Sequence, residues 1–446
     1  MTNKKPNIIL AMTDDQGWGD VSYNGHPVLK TQNLDRLAAE GARFDRFYAA
    51  APVCSPTRGS SITGRHPYRY GIFFANVGHL PPEEVTIAEV VKEQGYRTGH
   101  FGKWHLGTLT TEIEDGRRGG RQNEHYAPPW DHGFDTCFST EVQMPTYDPM
   151  DEQEIPGRFW TGPGQWAKEN LEGDDSRVIM DRALPFVREA VEASAPFLAV
   201  IWFHAPHSPV RAGIEQRAPY SDQPEDHQHY YGCLSGVDQQ MGRLRDELER
   251  SGVAGNTIIA FCSDNGPAGE GGGIAQHAGG RQQGSQGPFR GRKGSLYEGG
   301  VRVPSFLIWP GVTEPGQAVS APCCTSDYFP TLAEALGFHR ADQPEPIDGE
   351  SLLPFLRGDA AARETPIGFE SQKQRSWMEN RYKLYSADEG RTLQLYDLIE
   401  DPGETRDIAA GHPERVRAMR EAMERWRDSC TRSREGADYS GRKPWS

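Results

Sequence analysis

Polar side chains that could do chemistry follow directly after the apolar segments of this 446-residue chain. The segments themselves, such as "NIILAM" and "NTIIAFCS", have the length of buried strands. In order along the chain, the polar residues that follow them are Asp14, Asp15, Lys103, His105, His207, Asp264 and Asn265. The carboxyl ends of parallel strands meet at one edge of a sheet, where ligands bind. We therefore expect these side chains to converge on one site.

Four of these residues, Asp14, Asp15, Asp264 and Asn265, offer only oxygen ligands. Oxygen ligands suit Ca²⁺ or Mg²⁺ and do not suit zinc. Three carboxylates gathered in one place would repel one another without a cation between them. Each motif taken alone is also a good turn sequence. Their recurrence at strand ends predicts one divalent cation, Ca²⁺ in preference to Mg²⁺.

One of the seven cysteines, Cys54, lies among small and polar residues in "AAPVCSPTRGSSITGRHP". The cysteines show no C-x-x-C pair and no zinc spacing, so most are predicted to be buried hydrophobic residues. Arg58 follows Cys54 closely, and Lys293 in "GRKG" adds a further cation. A divalent metal ringed by lysine and arginine would bind a tetrahedral oxyanion, either sulfate or phosphate.

Three residues of this region could instead have no role in the site. Lys293 could be a solvated loop charge, and His277 and Arg281 in the glycine-rich stretch could be loop residues or substrate contacts. A cysteine phosphatase loop is excluded, because its arginine stands six positions after the cysteine and that position here is Ser60.

The stretch "CSPTRG" resembles the C-x-P-x-R signature of the type I, formylglycine-dependent sulfatases, which belong to the alkaline phosphatase-like superfamily. "TDDQGWGD", "GHFGKWHLG", "APHSP", "CSDNG" and "GRKGSLYEGGVRVP" resemble sulfatase motifs and stand in the family's order. The resemblance implies that a maturation enzyme oxidises Cys54 to Cα-formylglycine. It also implies that position 54 joins the four oxygen-bearing residues as a metal ligand.

The resemblance further implies a role for each cation and histidine. Arg58 would steady the hydrated aldehyde, and Asp264 would take the proton of the nucleophile. Lys103, Lys293 and His207 would bind sulfate oxygens, and either His207 or Lys293 would protonate the leaving alcohol. His105 would take the proton that triggers sulfate release.

Three functions are compatible with this set of residues. The first is hydrolysis of a small sulfated substrate, for which a saccharide is expected because Trp130, Trp160 and Trp166 could stack on sugar rings. The second is hydrolysis of phosphonate monoesters or phosphodiesters, which the same superfamily performs. The third is a non-catalytic protein that binds anions or glycans with Cys54 unconverted.

The elements that must position these residues alternate along the chain. Strand-like runs such as "NIILAMT", "YRTGHFG", "PFLAVIWF" and "VPSFLIWPG" are separated by amphipathic helices. One helix lays Leu34, Leu37 and Ala38 on one face, and another contains Pro185. This alternation predicts an α/β fold with a large mixed, mostly parallel sheet covered by helices on both faces.

Two regions depart from this alternation. Residues 108–175 are rich in Gly, Pro and Trp and leave the sheet just after His105, so they are predicted to shape the substrate pocket. Residues 1–345 are predicted to form the catalytic domain, and residues 346–446 a smaller α+β subdomain. The subdomain would contain a small antiparallel sheet and a terminal helix. The apolar face of that helix comprises Val416, Met419, Met423 and Trp426.

Charge and hydropathy limit the partners. With 48 basic and 63 acidic residues the net charge is −15, which argues against nucleic acid and anionic membrane surfaces. No apolar run has membrane-spanning length. The start, "MTNKKPNIILAM", is too short for a signal-peptide core, so we expect a cytoplasmic protein, or a periplasmic or secreted one if a leader was removed.

Overall fold

The architecture is described by a computed structural model, which covers residues 5–116, 118, 123–150, 157–269, 283–338, 340 and 342–439. His277 and Arg281 lie outside the described residues. Within the described part of the chain, none of the helices is both long enough and apolar enough to cross a membrane.

The strands form three sheets. In chain order they are β1 (Asn7–Thr13), β2 (Ala42–Phe44), β3 (Phe47–Tyr48), β4 (Arg97–Lys103), β5 (Thr136–Thr140), β6 (Trp160–Gly162), β7 (Gln165–Trp166), β8 (Phe197–Trp202), β9 (Thr257–Ser263), β10 (Arg302–Val303), β11 (Ser305–Ile308), β12 (Gln317–Val319), β13 (Cys323–Cys324), β14 (Ile367–Ser371), β15 (Gln374–Met378), β16 (Tyr382–Ser386) and β17 (Gln394–Asp397).

The α-helices lie between these strands and after the last one. In chain order they are α1 (Gln32–Glu40), α2 (Cys54–Thr63), α3 (Ile87–Glu93), α4 (Asp175–Glu192), α5 (Ile214–Arg217), α6 (Glu225–Arg250), α7 (Glu298–Val301), α8 (Tyr328–Leu336), α9 (Leu353–Arg357) and α10 (Pro413–Arg434).

The main sheet has ten strands in the order β12-β2-β11-β9-β1-β8-β4-β5-β6-β7. The central strands β9, β1, β8, β4 and β5 are parallel, and β1 pairs with both of its neighbours so that Leu10 lies beside Val200 and Ala260. Antiparallel pairs join β11 to β9 and β5 to β6. The prediction of a large mixed, mostly parallel sheet is confirmed.

Both faces of this sheet are covered, which explains the uninterrupted apolar runs of its strands. Ile8, Leu10 and Met12 of β1 face one apolar core, whereas Ile9 and Ala11 face the other. Helices α1, α4 and α6 contribute to the second core, and α2, α3, α8 and α9 contribute to the first. Because β1 is buried on both sides, the polar residues that follow it begin in the interior of the molecule.

The helices α1, α3 and α4 illustrate how the local sequence sets the helices of this fold. Helix α1 buries Leu34, Leu37 and Ala38 as expected. Helix α3 begins with a capping box, in which Thr86 and Glu89 exchange hydrogen bonds. Gly95, with a φ of 85°, follows soon after its last residue. Helix α4 continues through Pro185 and ends at Glu192.

The C-terminal part contains a separate antiparallel sheet, in the order β14-β15-β16-β17. Helix α10 packs on it through buried Met419 and Met423, with Val416 and Trp426 partly buried in the same cluster. The apolar face of the terminal helix is thus confirmed. The division between residues 345 and 346 stays a prediction, and the segment 352–356 just beyond it packs into the core of the main sheet.

A buried charge cluster joins the small sheet to the rest of the molecule. The Lys383 Nζ atom in β16 lies 3.1 Å from Glu298 Oε1 and 3.0 Å from Glu404 Oε1, and all three side chains are fully buried. The Tyr48 hydroxyl donates a further hydrogen bond of 2.8 Å to Glu298 Oε2. Glu298 begins α7, five residues after Lys293, so this cluster also fixes the segment that carries Lys293.

We predict that Lys383→Ala destabilises the protein strongly. Among the described residues, it leaves the buried Glu404 without a cation and Glu298 with Arg302 as its remaining one. Breaking a buried pair costs about 3–5 kcal/mol of unfolding free energy. The measurement is urea denaturation followed by tryptophan fluorescence. The matched control is Arg417→Ala, which removes an exposed partner of Glu414 and should leave the midpoint almost unchanged. Equal shifts for both variants would contradict the role of the buried cluster.

Candidate active site

The four strands that precede the polar residues are neighbours in the main sheet, in the order β9-β1-β8-β4. Asp264 and Asn265 follow β9, Asp14 and Asp15 follow β1, and Lys103 ends β4. His207 lies in the loop after β8. The predicted convergence at the carboxyl ends of the strands is therefore what the sheet order produces.

Backbone hydrogen bonds continue beyond the strands and hold the acidic residues in place. The Asp14 amide donates to the Ala205 carbonyl, and the Asp264 amide donates to the Thr13 carbonyl, each over 3.0 Å. The Asp15 amide donates over 3.1 Å to Asp264 Oδ1. Asp15 has a φ of 68°, a left-handed conformation that turns the chain sharply at this point.

Cys54 is the first residue of α2 and is 1% exposed. Its Sγ atom lies 3.4 Å from Asp14 Oδ1 and 3.6 Å from Lys293 Nζ. Burial, together with the negative charge of Asp14, raises the pKa of the Cys54 thiol to about 12. The unmodified side chain is therefore a neutral thiol, although the N-terminus of a helix favours negative charge.

The buried Lys103 and the partly exposed Lys293 neutralise the aspartates that follow β1. Lys103 Nζ lies 2.5 Å from Asp14 Oδ2, and Lys293 Nζ lies 2.6 Å from Asp15 Oδ1. Burial alone would raise the pKa of both carboxyls. Several nearby charges, of which Lys103 at Asp14 and Lys293 at Asp15 are the largest, together outweigh burial, so both carboxyl pKa values are lowered, that of Asp14 well below its ordinary value. Both aspartates are therefore ionised.

Arg58 is enclosed by protein groups. Its Nε and Nη2 atoms donate to Asp264 Oδ2 over 3.1 and 2.7 Å, and its Nη1 atom donates to the Lys103 carbonyl over 2.9 Å. Its guanidinium carbon lies 5.2 Å from the ring centre of Trp202. Burial, and then the charge of Asp14, raise the pKa of Asp264 to about 7, against the opposing charge of Arg58. Arg58 thus ties α2, β4 and β9 together.

The residues present fit an oxygen-preferring cation. Ligand atoms of Asp14, Asp15, Cys54 and His207 all lie within 4.8 Å of one another. Asn265 donates through Nδ2 to Asp15 Oδ1 over 2.8 Å, whereas its Oδ1 atom is buried without a hydrogen-bond partner among the described residues. An unpaired buried oxygen beside ionised carboxylates is the environment that Ca²⁺ or Mg²⁺ satisfies.

His207 borders this cluster. Its Nδ1 atom donates to the Ser208 carbonyl over 2.7 Å, which leaves Nε2 facing Asp15 Oδ2 at 3.7 Å. Burial, and then the charge of Lys293, lower the pKa of His207 to about 3. The ring is therefore neutral before an anion binds.

A cleft of about 420 Å³ opens onto the cluster. Cys54, His105, His207 and Lys293 line it, so four of the residues predicted as catalytic share one cavity. Arg58 and Lys103 are fully buried behind it. Sequence reasoning did not find Asn76 and Gln143, which also line the cleft and belong to no motif. An asparagine in the loop "GIFFANVGH" is the one available signal.

The interpretation of the tryptophans was wrong for Trp160. This side chain is 1% exposed, packs edge to face against Trp166 and contacts Asp115 through Nε1, so it is part of the core. Trp166 lies between Arg158 and Lys168, and Trp130 bonds to the Tyr126 hydroxyl. Among the described residues that line the cleft, residues 108–175 are represented by Gln143 and not by a tryptophan.

Comparison with known proteins shows the family to which this chain belongs. Residues 6–338 match the family described as Sulfatase, and residues 285–429 match the family described as N-sulphoglucosamine sulphohydrolase, C-terminal. N-acetylgalactosamine-6-sulfatase of Sus scrofa is 34% identical over 79% of this chain, and steryl-sulfatase of Mus musculus is 32% identical over 81%. The aligned region spans 66% of the length of each of these two relatives.

A solved structure resembles the whole chain. The structure described as Ps i-CgsB in complex with k-i-k-neocarrahexaose has a TM-score of 0.81 and is 27% identical. The match covers 99% of this chain and 94% of that one. The shared fold therefore includes the small C-terminal sheet as well as the main sheet.

We predict slow alkylation of Cys54 in unconverted protein from which metal has been removed with EDTA. A pKa of about 12 leaves so little thiolate at pH 8 that reaction with iodoacetamide should be on the order of a thousandfold slower than for free cysteine. Because the thiolate fraction grows below the pKa, the rate should rise about tenfold per pH unit from pH 8 to pH 10.

Peptide mass spectrometry across residues 49–65 measures this reaction, and the same digest after alkylation in guanidinium chloride serves as the control. A rate that levels off above pH 9 would contradict the raised pKa. Slow access through the cleft would lower the rate at every pH without changing this slope.

Proposed function

This chain belongs to the sulfatase family, and we propose that it hydrolyses sulfate esters with position 54 as its nucleophile. The observation that carries the proposal is the place of Cys54 at the N-terminus of a buried helix, within 3.6 Å of Asp14 and Lys293. Helix N-termini and lysines stabilise anions, so a tetrahedral oxyanion is the group that this corner of the cleft would bind.

A neutral thiol with a pKa of about 12 is a poor nucleophile, which supports conversion of Cys54 before catalysis. We infer that a maturation enzyme oxidises Cys54 to formylglycine. A bound Ca²⁺ would supply positive charge for the sulfate oxygens, and hydrated formylglycine would supply a hydroxyl nucleophile that the thiol lacks. Asp14, Asp15, Asp264, Asn265 and position 54 would hold the cation.

The resemblance to the sulfatases supports a role for each of the other charged residues in and behind the cleft. Lys103 and Lys293 bind sulfate oxygens, and Arg58 holds Asp264 so that it can take a proton from the nucleophile. His207 or Lys293 protonates the leaving alcohol. Negative charge on a bound sulfate ester favours the protonated imidazole of His207, which is neutral without it. His105 accepts the proton that accompanies sulfate release.

We further propose that the sulfate is carried by a saccharide. The cleft has a polar lining, with Gln143 and Ser208 able to form hydrogen bonds to hydroxyl groups, and its volume of about 420 Å³ fits a sugar ring. The names of two similar proteins, N-acetylgalactosamine-6-sulfatase and the neocarrahexaose complex, support this substrate class.

We predict that hydrolysis depends on conversion of Cys54. Turnover of an aryl sulfate should rise in proportion to the fraction of formylglycine at position 54, and Cys54→Ala should abolish it because the nucleophile is gone. Kinetics and intact-mass measurements are made on the same batches. Cys137→Ala, at another buried cysteine, is the matched control and should keep its turnover.

The sulfate, phosphodiester and phosphonate monoester of one aryl alcohol should be compared in this assay. We expect kcat/KM for the sulfate to exceed the others by at least about tenfold. Full activity in a batch that holds only cysteine at position 54, or preference for a phosphorus ester, would overturn the proposed function.

We predict stabilisation of the EDTA-treated protein by Ca²⁺. At one hundred times its Kd, a ligand that binds the folded state alone adds about 2.7 kcal/mol to the free energy of unfolding. Asn265→Ala should weaken this effect, because it removes the unpaired oxygen, whereas Asn256→Ala before β9 should not. Thermal unfolding with Ca²⁺, Mg²⁺ and Zn²⁺ measures it. Stoichiometric zinc without calcium or magnesium in active protein would contradict an oxygen-ligated site.

A further inference from the structure

Within the described part of the chain, the His105 ring has one hydrogen-bond partner, and that contact determines which ring nitrogen carries the proton. Its Nε2 atom lies 2.7 Å from Asn76 Oδ1. An amide oxygen only accepts hydrogen bonds, so Nε2 must be the protonated nitrogen. Nδ1 then has a lone pair, and it is buried without a hydrogen-bond partner among the described residues.

The backbone on both sides of this contact is unusual. Asn76 has a φ of 64° and His105 a φ of 59°, which is the left-handed region that side chains other than asparagine rarely adopt. Strained conformations of this kind persist where the surrounding structure fixes them, and they cluster at functional sites. A hydrogen bond of 2.7 Å from the Leu80 amide to the Leu106 carbonyl joins the two segments just beyond the contact.

From this geometry we propose that Asn76 is a positioning residue, which holds His105 as the Nε2-protonated tautomer and so leaves the buried Nδ1 atom with a lone pair that can accept a proton. In the sulfate-release step that it would serve, the O–H bond of the second hydroxyl at the hydrated position 54 would break, its electron pair would form the C=O bond, and the C–O bond to the departing sulfate would break. The proton bonds to the lone pair of Nδ1, and the Nε2 proton stays in its bond to Asn76. The inference rests on the proposed function and adds to it a residue outside every recognised motif.

The electrostatic surroundings agree with a neutral acceptor. Burial, and then the positive charge of Lys103, lower the pKa of His105 well below its ordinary value. The ring therefore has a lone pair to offer. Without an acceptor at Nε2, the His105 ring could adopt either neutral tautomer. The tautomer with its proton on Nδ1 could not accept a second proton at that atom.

The tautomer can be measured without turnover, on unconverted protein labelled with ¹⁵N-histidine. Long-range ¹H–¹⁵N spectra separate protonated from unprotonated ring nitrogens, and the His105→Gln variant identifies the signals of His105. We expect a protonated Nε2 and a bare Nδ1 in the wild-type protein and in Asn76→Asp. In Asn76→Gly this preference should be lost. A protonated Nδ1 in the wild-type protein overturns the inference.

Kinetics on converted enzyme give the second readout. Asn76→Gly keeps a residue that tolerates positive φ but removes the acceptor, and it should lower kcat by roughly 10- to 100-fold with KM changed by less than about threefold. Asn76→Asp retains an acceptor of the same shape and should keep kcat within about fivefold of wild type. Val77→Ala, on the same loop at an exposed side chain, is the control and should be unchanged.

Equal losses in Asn76→Gly and Asn76→Asp, or no loss in Asn76→Gly, would overturn the positioning role. If converted wild-type enzyme hydrolyses no sulfate ester, the proposed function fails by itself, and the spectra still decide the tautomer.

Discussion

Neutralisation of buried carboxylates is the constraint on which the site depends. Asp14, Asp15 and Asp264 are all almost completely buried, and each isolated charge in such a place would cost several kcal/mol. Lys103, Lys293 and Arg58 offset this cost at distances of 2.5–2.7 Å. The three cations come from three different parts of the fold, so they surround the carboxylates only when the fold is complete.

Each of these cations is in turn held by the protein. Arg58 donates hydrogen bonds to Asp264 and to the Lys103 carbonyl, so this one side chain sets the spacing between α2 and the ends of β9 and β4. The Lys293 amide donates to the Pro267 carbonyl, and the following amide, that of Gly294, donates to the carbonyl of Pro52, two residues before Cys54. The glycines of this segment are required by close packing: a Cβ on Gly300 would lie 2.0 Å from the Ser295 carbonyl oxygen.

The same arrangement explains why the cleft has catalytic and supporting layers. His105, His207 and Lys293 line the cavity, whereas Arg58 is wholly enclosed and holds Asp264 from behind. Before a cation and an anionic substrate bind, the lysines serve as counter-ions to the aspartates. Binding of the cation would relieve them of that role and leave their charge for sulfate oxygens.

Much of this could be predicted from the sequence, because the chemistry of the site is encoded locally. Apolar runs of strand length, each ending in Asp, Asn, Lys or His, indicated a parallel sheet with ligands at one edge, and the sheet order β9-β1-β8-β4 agrees. The stretch around Cys54 carried the family's signature, and the family is confirmed by the match over residues 6–338. Residue type, and the spacing of apolar residues every 2 residues in a strand or every 3.6 in a helix, are properties of short segments. They can therefore be recognised without knowledge of the fold.

Only the tertiary structure decided which side chains meet and which are covered. Trp160 belongs to a loop-like stretch by composition, yet it is buried against Trp166, and no local pattern reveals that. Asn76 and His105 are 29 residues apart and share no motif, so their contact depends on how two loops fold against each other. The sequence by itself determined the chemistry available at the sheet edge. The burial, the pairing of charges and the orientation of His105 arise from long-range packing, which local sequence patterns do not contain.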